Sequence, residues 1–101
     1  MKIYISGAIT GHDKHAVEAK FGRAATLIAE QGDTPINPLD NGLPGGASWH
    51  DHMRADLKMM LDADQVWRLP CWRKSPGANI ECELARWLNI PIIDARKKTN
   101  V

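Results

Sequence analysis

A short segment at residues 75–81, SPGANIE, holds the residue types best suited to chemistry in this chain. Ser75 is a typical N-cap residue, and the proline after it suits the first helical turn, so a helix is predicted to begin here, directly after a strand. Backbone N–H groups at such a helix start, here around Gly77 and Ala78, favour an anion. Glu81 lies in the second turn, where its carboxylate could act on a substrate anchored by a phosphate or a sugar. A solvated helix glutamate fits the same pattern and stays open at this point.

A second acid, Asp56, lies on the preceding predicted helix. Two carboxylates from adjacent βα units suit the cleavage of a glycosidic bond, in which one attacks the sugar and another group handles the proton. Glu83 cannot pair with Glu81, because it lies about 200° around the helix from it. Asp56 and Glu81 are therefore the pair to consider for this chemistry, provided that the fold brings them into one cleft.

Aromatic and cationic side chains follow the first and third predicted strands. Trp72 is in a position to stack on a nucleobase, and Arg73 and Lys74 beside it could contact a phosphate. His12 and His15 could bind phosphate or transfer a proton, although histidines of an exposed loop fit the same positions. These residues would complement a ligand that carries both a base and a phosphate.

No metal and no cofactor are expected. His50 and His52 flank Asp51, but residues two apart on a helix face different directions, whereas zinc needs ligands on one face or from several elements. Cys71 and Cys82 lie outside any CxxC pattern, so reduced thiols are expected rather than a disulfide framework.

Composition indicates an ordinary globular protein. The 101 residues are 44% hydrophobic and 25% charged, which suits one domain and excludes extended disorder. The formal charge of +1 gives no reason to expect a nucleic-acid partner. No apolar run approaches the roughly 20 residues that span a bilayer, so we expect no membrane partner and a cytoplasmic location.

The periodicity of apolar residues and the glycine and proline positions predict an alternation of strands and helices, βαβαβαβ. Such an order requires parallel strands joined by crossover helices. The fold class is therefore α/β, a small three-layer sandwich with a four-stranded parallel sheet of the Rossmann or flavodoxin type. The predicted strands are residues 2–6, 34–36, 65–69 and 91–94, and the predicted helices are residues 14–31, 49–62 and 76–88. Residues 1–95 are expected to form the single domain, and residues 96–101 a mobile basic tail.

Open parallel sheets bind ligands at the carboxyl ends of their strands, where the strand order reverses. The loops after the first three strands, residues 7–13, 37–46 and 70–77, should therefore line the site. Gly7 and Ile9 in the first of these loops, and Asn37 at the start of the second, are candidate substrate-binding residues.

Five motifs resemble, in order and spacing, the nucleoside 2-deoxyribosyltransferase-like superfamily: YISGAITG, MRADL, DADQVWRLPCW, SPGANIE and A-x-x-L-x-I-P. The resemblance covers nearly the whole chain. Within that superfamily the sequence is most similar to a short, phage-associated branch of unknown function. It is similar at a greater distance to the 2-deoxynucleoside 5′-monophosphate N-hydrolases.

The resemblance implies a role for each matching position. Glu81 matches the nucleophile that attacks C1′ of the deoxyribose, and Asp56 matches the acid that assists departure of the base. Tyr4 matches a site tyrosine, and Gly7 matches a glycine that lets the substrate approach the backbone. Ser75 matches a residue that binds the 5′-phosphate in the monophosphate hydrolases, whereas the base-exchanging transferases tend to have Asp there.

The sequence thus predicts an N-glycosidase or deoxyribosyltransferase acting on a small nucleotide, with a 2′-deoxynucleoside 5′-monophosphate as the expected substrate. The alternative is a non-catalytic nucleotide-binding module, a phage accessory protein that sequesters or senses a nucleotide. A third possibility is an interaction protein that uses the fold alone. A homodimer or higher homo-oligomer is expected, since so small a unit with tryptophans on its helices, such as Trp87, would otherwise leave apolar surface exposed.

Overall fold

Strands and helices alternate along residues 1–95, which are the residues that the computed structural model describes. Each strand and α-helix agrees with its prediction to within one residue at either end, and two 3₁₀ turns were not predicted. The elements are β1 (Lys2–Ser6), α1 (Lys14–Glu30), β2 (Thr34–Ile36), a 3₁₀ turn (Pro38–Asp40), α2 (Trp49–Leu61), β3 (Gln65–Arg68), a second 3₁₀ turn (Pro70–Lys74), α3 (Pro76–Trp87) and β4 (Ile92–Asp94). The predicted basic tail, residues 96–101, lies outside the described residues.

The four strands form one sheet in the order β2-β1-β3-β4, and all three strand pairs are parallel. The chain leaves β1 toward β2 on one side and then crosses to β3 on the other. The strand order therefore reverses between β1 and β3, and the carboxyl ends of these two strands are the expected place for a ligand. This confirms the predicted α/β class.

Strand β1 is buried on both faces, and its alternating side chains serve different layers. Ile3 and Ile5 pack with Trp67 of β3 and with Phe21 and Ile28 of α1. All five of these side chains are at most 2% exposed. Burial of each large apolar side chain stabilises the fold by about 1.5–3 kcal/mol, so this face supplies most of the core.

The opposite face of the sheet is covered by α2 and α3, and its core is smaller. Tyr4 packs with Val66 of β3, Met60 of α2 and Ala85 of α3. Ser6, two residues after Tyr4, is also fully buried. The end of β1 thus carries two hydroxyl groups toward the helices at the reversal point of the sheet.

Local signals set the helix ends. The side chain of Ser48 accepts a hydrogen bond from the Asp51 N–H to begin α2, and Ser75 accepts from Ala78 N–H to begin α3. Such caps contribute about 1 kcal/mol each. Asn89, in the left-handed region with φ 57°, follows the end of α3.

The outer surface of α3 carries apolar side chains. Trp87 is 80% exposed, and Ile80 and Leu88 are also exposed. Within residues 1–95, none of the helices combines the length and the apolar character that a membrane crossing requires.

Candidate active site

A cleft of about 680 Å³ opens at the carboxyl edge of the sheet. It is lined by the loop after β1, the loop after β2, one face of α2 and the start of α3. Its volume lies in the range of pockets that hold small-molecule ligands, roughly 300–1,000 Å³. Glu81 and Asp56 both line it, so the fold brings the two predicted carboxylates together.

Glu81 is held at the base of the cleft by two hydroxyl groups of β1. The Tyr4 hydroxyl donates to its Oε2, and the Ser6 hydroxyl donates to its Oε1 at 2.7 Å. Both donors project from the same face of the strand, and Glu81 itself is only 5% exposed. The carboxylate is therefore buried, oriented on both oxygens and directed to the cleft, which differs from a solvated helix glutamate.

This environment places Glu81 near its ionisation point at neutral pH. The pKa of Glu81 is raised to about 7: burial is the largest cause and the charge of Asp56 adds to it, while the hydrogen bonds from Tyr4 and Ser6 partly offset the rise. Burial, followed by the charge of Glu81, raises the pKa of the Tyr4 phenol above its usual range. Tyr4 therefore remains a hydrogen-bond donor at neutral pH and acts on Glu81 as a positioning residue.

Asp56 is the second buried carboxylate, 6% exposed. Its Oδ1 accepts a hydrogen bond from Asn41 Nδ2 at 2.9 Å. Burial raises the pKa of Asp56, and the Asn41 hydrogen bond and the charge of His52 oppose that change. Among the described residues no hydrogen bond reaches Oδ2, so this oxygen is the one available for a proton or a ligand.

The α2 residues that line the cleft are spaced so that they share one face of the helix. They are Trp49, His52, Met53 and Asp56, which lie at i, i+3, i+4 and i+7. The Trp49 ring meets the neighbouring His50 ring edge to face, with 5.4 Å between centroids. This face offers an aromatic plate, an imidazole and a carboxyl group to a single ligand.

The start of α3 borders the cleft with Lys74, Ser75, Gly77 and Ala78. Ser75 Oγ accepts from Ala78 N–H at 3.2 Å, so that amide is already occupied. No hydrogen bond from Gly77 N–H is formed within residues 1–95. An anion here would meet the Gly77 amide, the Ser75 hydroxyl hydrogen and the Lys74 ammonium group.

Gly7 and Ile9 line the cleft from the loop after β1, together with His12. A Cβ atom at Gly7 would lie 3.0 Å from the Cβ and Cδ1 atoms of Leu69. Glycine therefore suits the close packing of the residues that follow β1 and β3, since a larger residue would require Leu69 to shift. His15 is exposed and does not line the cleft, although its Nδ1 lies 3.8 Å from Oε1 of Glu18, which does.

Two predicted substrate-binding residues are not brought to the cleft. The Trp72 ring packs under Arg68, whose guanidinium carbon is 4.0 Å from the ring centroid, and beside Arg73 at 5.3 Å. Asn37 caps the first 3₁₀ turn, with its Oδ1 accepting from Leu39 N–H at 3.0 Å. Neither borders the cleft, so their binding roles stay predictions without geometric support.

Four residues of the site were missed by sequence reasoning as site residues: Ser6, Asn41, Trp49 and His52. Ser6 could have been found from strand alternation, since it shares a face with Tyr4. His52 and Trp49 could have been found from their helical spacing to Asp56. Asn41 lies in a loop, and no sequence signal fixes its contact with Asp56.

In the part of the chain that the structure describes, no three His, Cys, Asp or Glu side chains lie close enough together to hold a metal ion. Cys71 and Cys82 are free thiols. Cys71 Sγ accepts from Lys20 Nζ at 2.9 Å, outside the cleft.

Comparison with known proteins identifies the family of this chain and other proteins that share its fold. The family described as Domain of unknown function (DUF4406) matches residues 1–94. No curated protein matches the sequence. A 2-deoxyribosyltransferase from Bacillus psychrosaccharolyticus matches in structure with a TM-score of 0.70 and 19% identity, over 91% of this chain and 69% of that protein.

Two further solved structures have the same fold. A 2-deoxyribosyltransferase from Leishmania mexicana matches with a TM-score of 0.70 and 20% identity, over 92% of this chain and 62% of that one. A conserved protein from Enterococcus faecalis V583 matches with a TM-score of 0.69 and 18% identity, over 93% and 62%. This chain spans between 62% and 69% of the length of the three structures.

Proposed function

The chain belongs to the DUF4406 family and has the fold of the 2-deoxyribosyltransferases, and from that premise we propose that it cleaves the N-glycosidic bond of a small nucleotide. The proposed substrate class is the 2′-deoxynucleoside 5′-monophosphates. One observation carries the proposal: Glu81 is buried, lines the cleft and has both carboxylate oxygens held by hydroxyl donors. A buried carboxylate with no cation among its described partners is costly in a purely structural role.

In the first step, the ionised Glu81 carboxylate attacks C1′ of the deoxyribose. A bond forms between one carboxylate oxygen and C1′ while the bond from C1′ to the base nitrogen breaks, and its electron pair leaves with the base. Tyr4 and Ser6 hold the carboxylate in one orientation for this attack. A pKa of about 7 leaves a substantial fraction of Glu81 ionised at neutral pH.

Asp56 supplies the proton that the departing base needs. Because Asn41 donates to Oδ1, the proton belongs on Oδ2. In the second step, water attacks C1′ of the glycosyl-enzyme, the Glu81 carboxylate leaves, and Asp56 takes the proton from the water. A second base in place of water would give transfer instead of hydrolysis.

The start of α3 is the proposed seat of the 5′-phosphate. The Ser75 hydroxyl, the Gly77 amide and the Lys74 ammonium group all border the cleft, and charge-assisted hydrogen bonds to phosphate are among the stronger ones. This arrangement supports a nucleotide over a free nucleoside.

The test is to incubate the protein with a panel of nucleosides, 5′-monophosphates and NAD. Release of free base is monitored by chromatography. Glu81→Gln should abolish release, by roughly 1,000-fold or more, since it removes the nucleophile and keeps the shape. Glu30→Gln is the matched control, because Glu30 is an exposed glutamate at the end of α1 and does not line the cleft.

Each other outcome has a definite meaning. Nucleotide binding without release by the folded wild-type protein would replace the enzyme by the non-catalytic nucleotide-binding alternative. Release that continues in Glu81→Gln would remove Glu81 from the mechanism. No binding and no release would reject both candidate functions.

We also propose that the protein associates with a second copy of itself through the outer face of α3. Ile80, Trp87 and Leu88 are exposed there, and Glu83 and Arg86 lie one turn apart on the same helix. In an antiparallel twofold pair, Glu83 of one copy would face Arg86 of the other, so the surface is self-complementary in charge. The proposed partner of this surface is therefore α3 of a second copy of the chain.

A further inference from the structure

Both polar atoms of the Asn41 side chain form hydrogen bonds. Its Oδ1 accepts from the Leu43 N–H at 3.0 Å, which fixes the orientation of the amide. Its Nδ2 lies 2.9 Å from Asp56 Oδ1 and 3.0 Å from His52 Nδ1. A primary amide has two N–H groups, and these two acceptors use both of them.

The two N–H groups of Asn41 determine which tautomer His52 adopts. Since Asn41 presents an N–H group to Nδ1, that nitrogen must be an acceptor, and a neutral imidazole then carries its proton on Nε2. A proton on Nδ1 would place two donors against each other. In the neutral ring, Asn41 therefore selects the tautomer that has Nε2–H as its free donor.

That donor is available to a ligand. His52 is half-buried, lines the cleft and lies one helical turn before Asp56 on the same face of α2. Within residues 1–95, no acceptor is bonded to its Nε2. The Trp49 ring borders the cleft on the same face, which is a surface on which a base can stack.

The proposed reaction places the base beside this face, and the present inference rests on that proposed function. A nucleophile attacks C1′ from the side opposite to the leaving base. The base must therefore lie away from Glu81 and next to Asp56, which protonates it. Two neighbouring donors then face the base, the Asp56 Oδ2–H and the His52 Nε2–H.

We propose that His52 is a specificity-determining residue that donates Nε2–H to an acceptor of the departing base, and that the site consequently selects 6-oxopurines over 6-aminopurines. A 6-oxopurine presents two adjacent acceptors, N7 and O6, whereas adenine presents an acceptor and an amino donor. The amino group would oppose the His52 donor. Asn41 is the positioning residue that sets this preference through the tautomer.

The first experiment reads the tautomer directly. A ¹⁵N spectrum of the imidazoles, recorded at about pH 8 where ordinary histidines are neutral, should show His52 protonated on Nε2. The His52 signal is assigned by its loss in His52→Phe. Asn41→Ala should give a mixture of both tautomers, because the N–H group facing Nδ1 is removed. A ring protonated on Nδ1 in the wild-type protein would overturn the inference.

The second experiment measures binding without turnover. The 5′-monophosphates of deoxyinosine and deoxyadenosine differ at the purine 6-position, and their affinities for Glu81→Gln are compared by calorimetry. The deoxyinosine nucleotide should bind roughly tenfold more tightly. His52→Phe in the same background should abolish the difference, whereas His15→Phe, a change at a 93% exposed side chain, should leave it intact. An amide ¹H–¹⁵N spectrum verifies that each variant is folded.

The outcomes separate this inference from the function on which it rests. Equal affinities, or a preference that survives His52→Phe, would overturn the role of His52. Base release from both nucleotides with equal kcat/KM would overturn the selectivity while the proposed function stands. Failure of Glu81→Gln to bind either nucleotide would overturn the base contact, and a wild-type protein that also releases no base would reject the proposed function.

Discussion

The hydrogen bonds at Glu81 show how individual residues tune a buried acid. Desolvation disfavours the charged carboxylate, whereas donation from Tyr4 and Ser6 favours it, and the balance leaves the pKa at about 7. The nucleophile of the proposed reaction must be ionised. Asp56 must also keep its proton for the departing base. The rate of base release should therefore rise with pH as Glu81 ionises and fall again as Asp56 loses its proton.

Removing one donor should shift this profile in a known direction. Tyr4→Phe deletes the hydroxyl that lowers the Glu81 pKa, so the pKa should rise and the rising limb of the pH–rate profile should move to higher pH. At neutral pH the rate should fall by about fivefold, because one donor of roughly 1.4 kcal/mol corresponds to one pKa unit, and a rise of one unit from a pKa of about 7 lowers the ionised fraction of Glu81 from about one half to about one tenth. The measurement is kcat/KM against pH, with a parallel titration of the Glu81 carboxyl by ¹³C NMR.

Two outcomes would contradict this prediction. An unchanged limb in Tyr4→Phe would mean that Glu81 is not the group that titrates. A limb that moves to lower pH would mean that the Tyr4 hydroxyl does not stabilise the charged carboxylate.

At the level of elements, the start of α3 combines two roles in Ser75. Its oxygen caps the helix by accepting from Ala78 N–H, and its hydroxyl borders the proposed phosphate seat. These roles can be separated, because Asp caps a helix as well as Ser does but carries a negative charge.

Ser75→Asp should therefore preserve stability and change the substrate. The melting temperature should stay within a few degrees of that of the wild-type protein, while kcat/KM for a nucleotide relative to its nucleoside should fall by at least tenfold through charge repulsion. Ser48→Asp at the cap of α2 is the control, because Ser48 accepts from Asp51 N–H and does not line the cleft. A retained nucleotide preference in Ser75→Asp would place the phosphate elsewhere.

At the scale of the whole molecule, the apolar side chains on the exposed face of α3 are not covered by the described residues of the chain. Trp87 at 80% exposure contributes little to the core, so Trp87→Lys should leave the fold intact. It should convert a dimer to a monomer at micromolar concentration, since central aromatic residues of interfaces contribute about 2 kcal/mol or more. Light scattering after gel filtration measures the mass.

The control is Leu61→Lys, a change at a 55% exposed residue of α2. Its mass should equal that of the wild-type protein. A wild-type mass of one chain, or a dimer that persists in Trp87→Lys, would reject association through this face of α3.

The sequence by itself determined the elements and their order. Helix caps, glycine positions and apolar periodicity are local signals, because they depend on backbone geometry within a few residues, and they located every strand and α-helix to within one residue. The alternation of strands and helices then required parallel pairing. The motif spacing also marked Glu81 and Asp56, which the fold brings to one cleft.

Only the tertiary structure decided which side chains surround these two acids. Trp72 was the predicted aromatic plate, but Arg68, itself bonded to Asp94 of β4, holds its ring outside the cleft. Trp49 borders the cleft instead. Asn41 meets Asp56 from a loop. Such contacts join residues far apart in the chain, and their geometry depends on how loops pack on neighbouring elements, for which a sequence pattern carries no periodic signal.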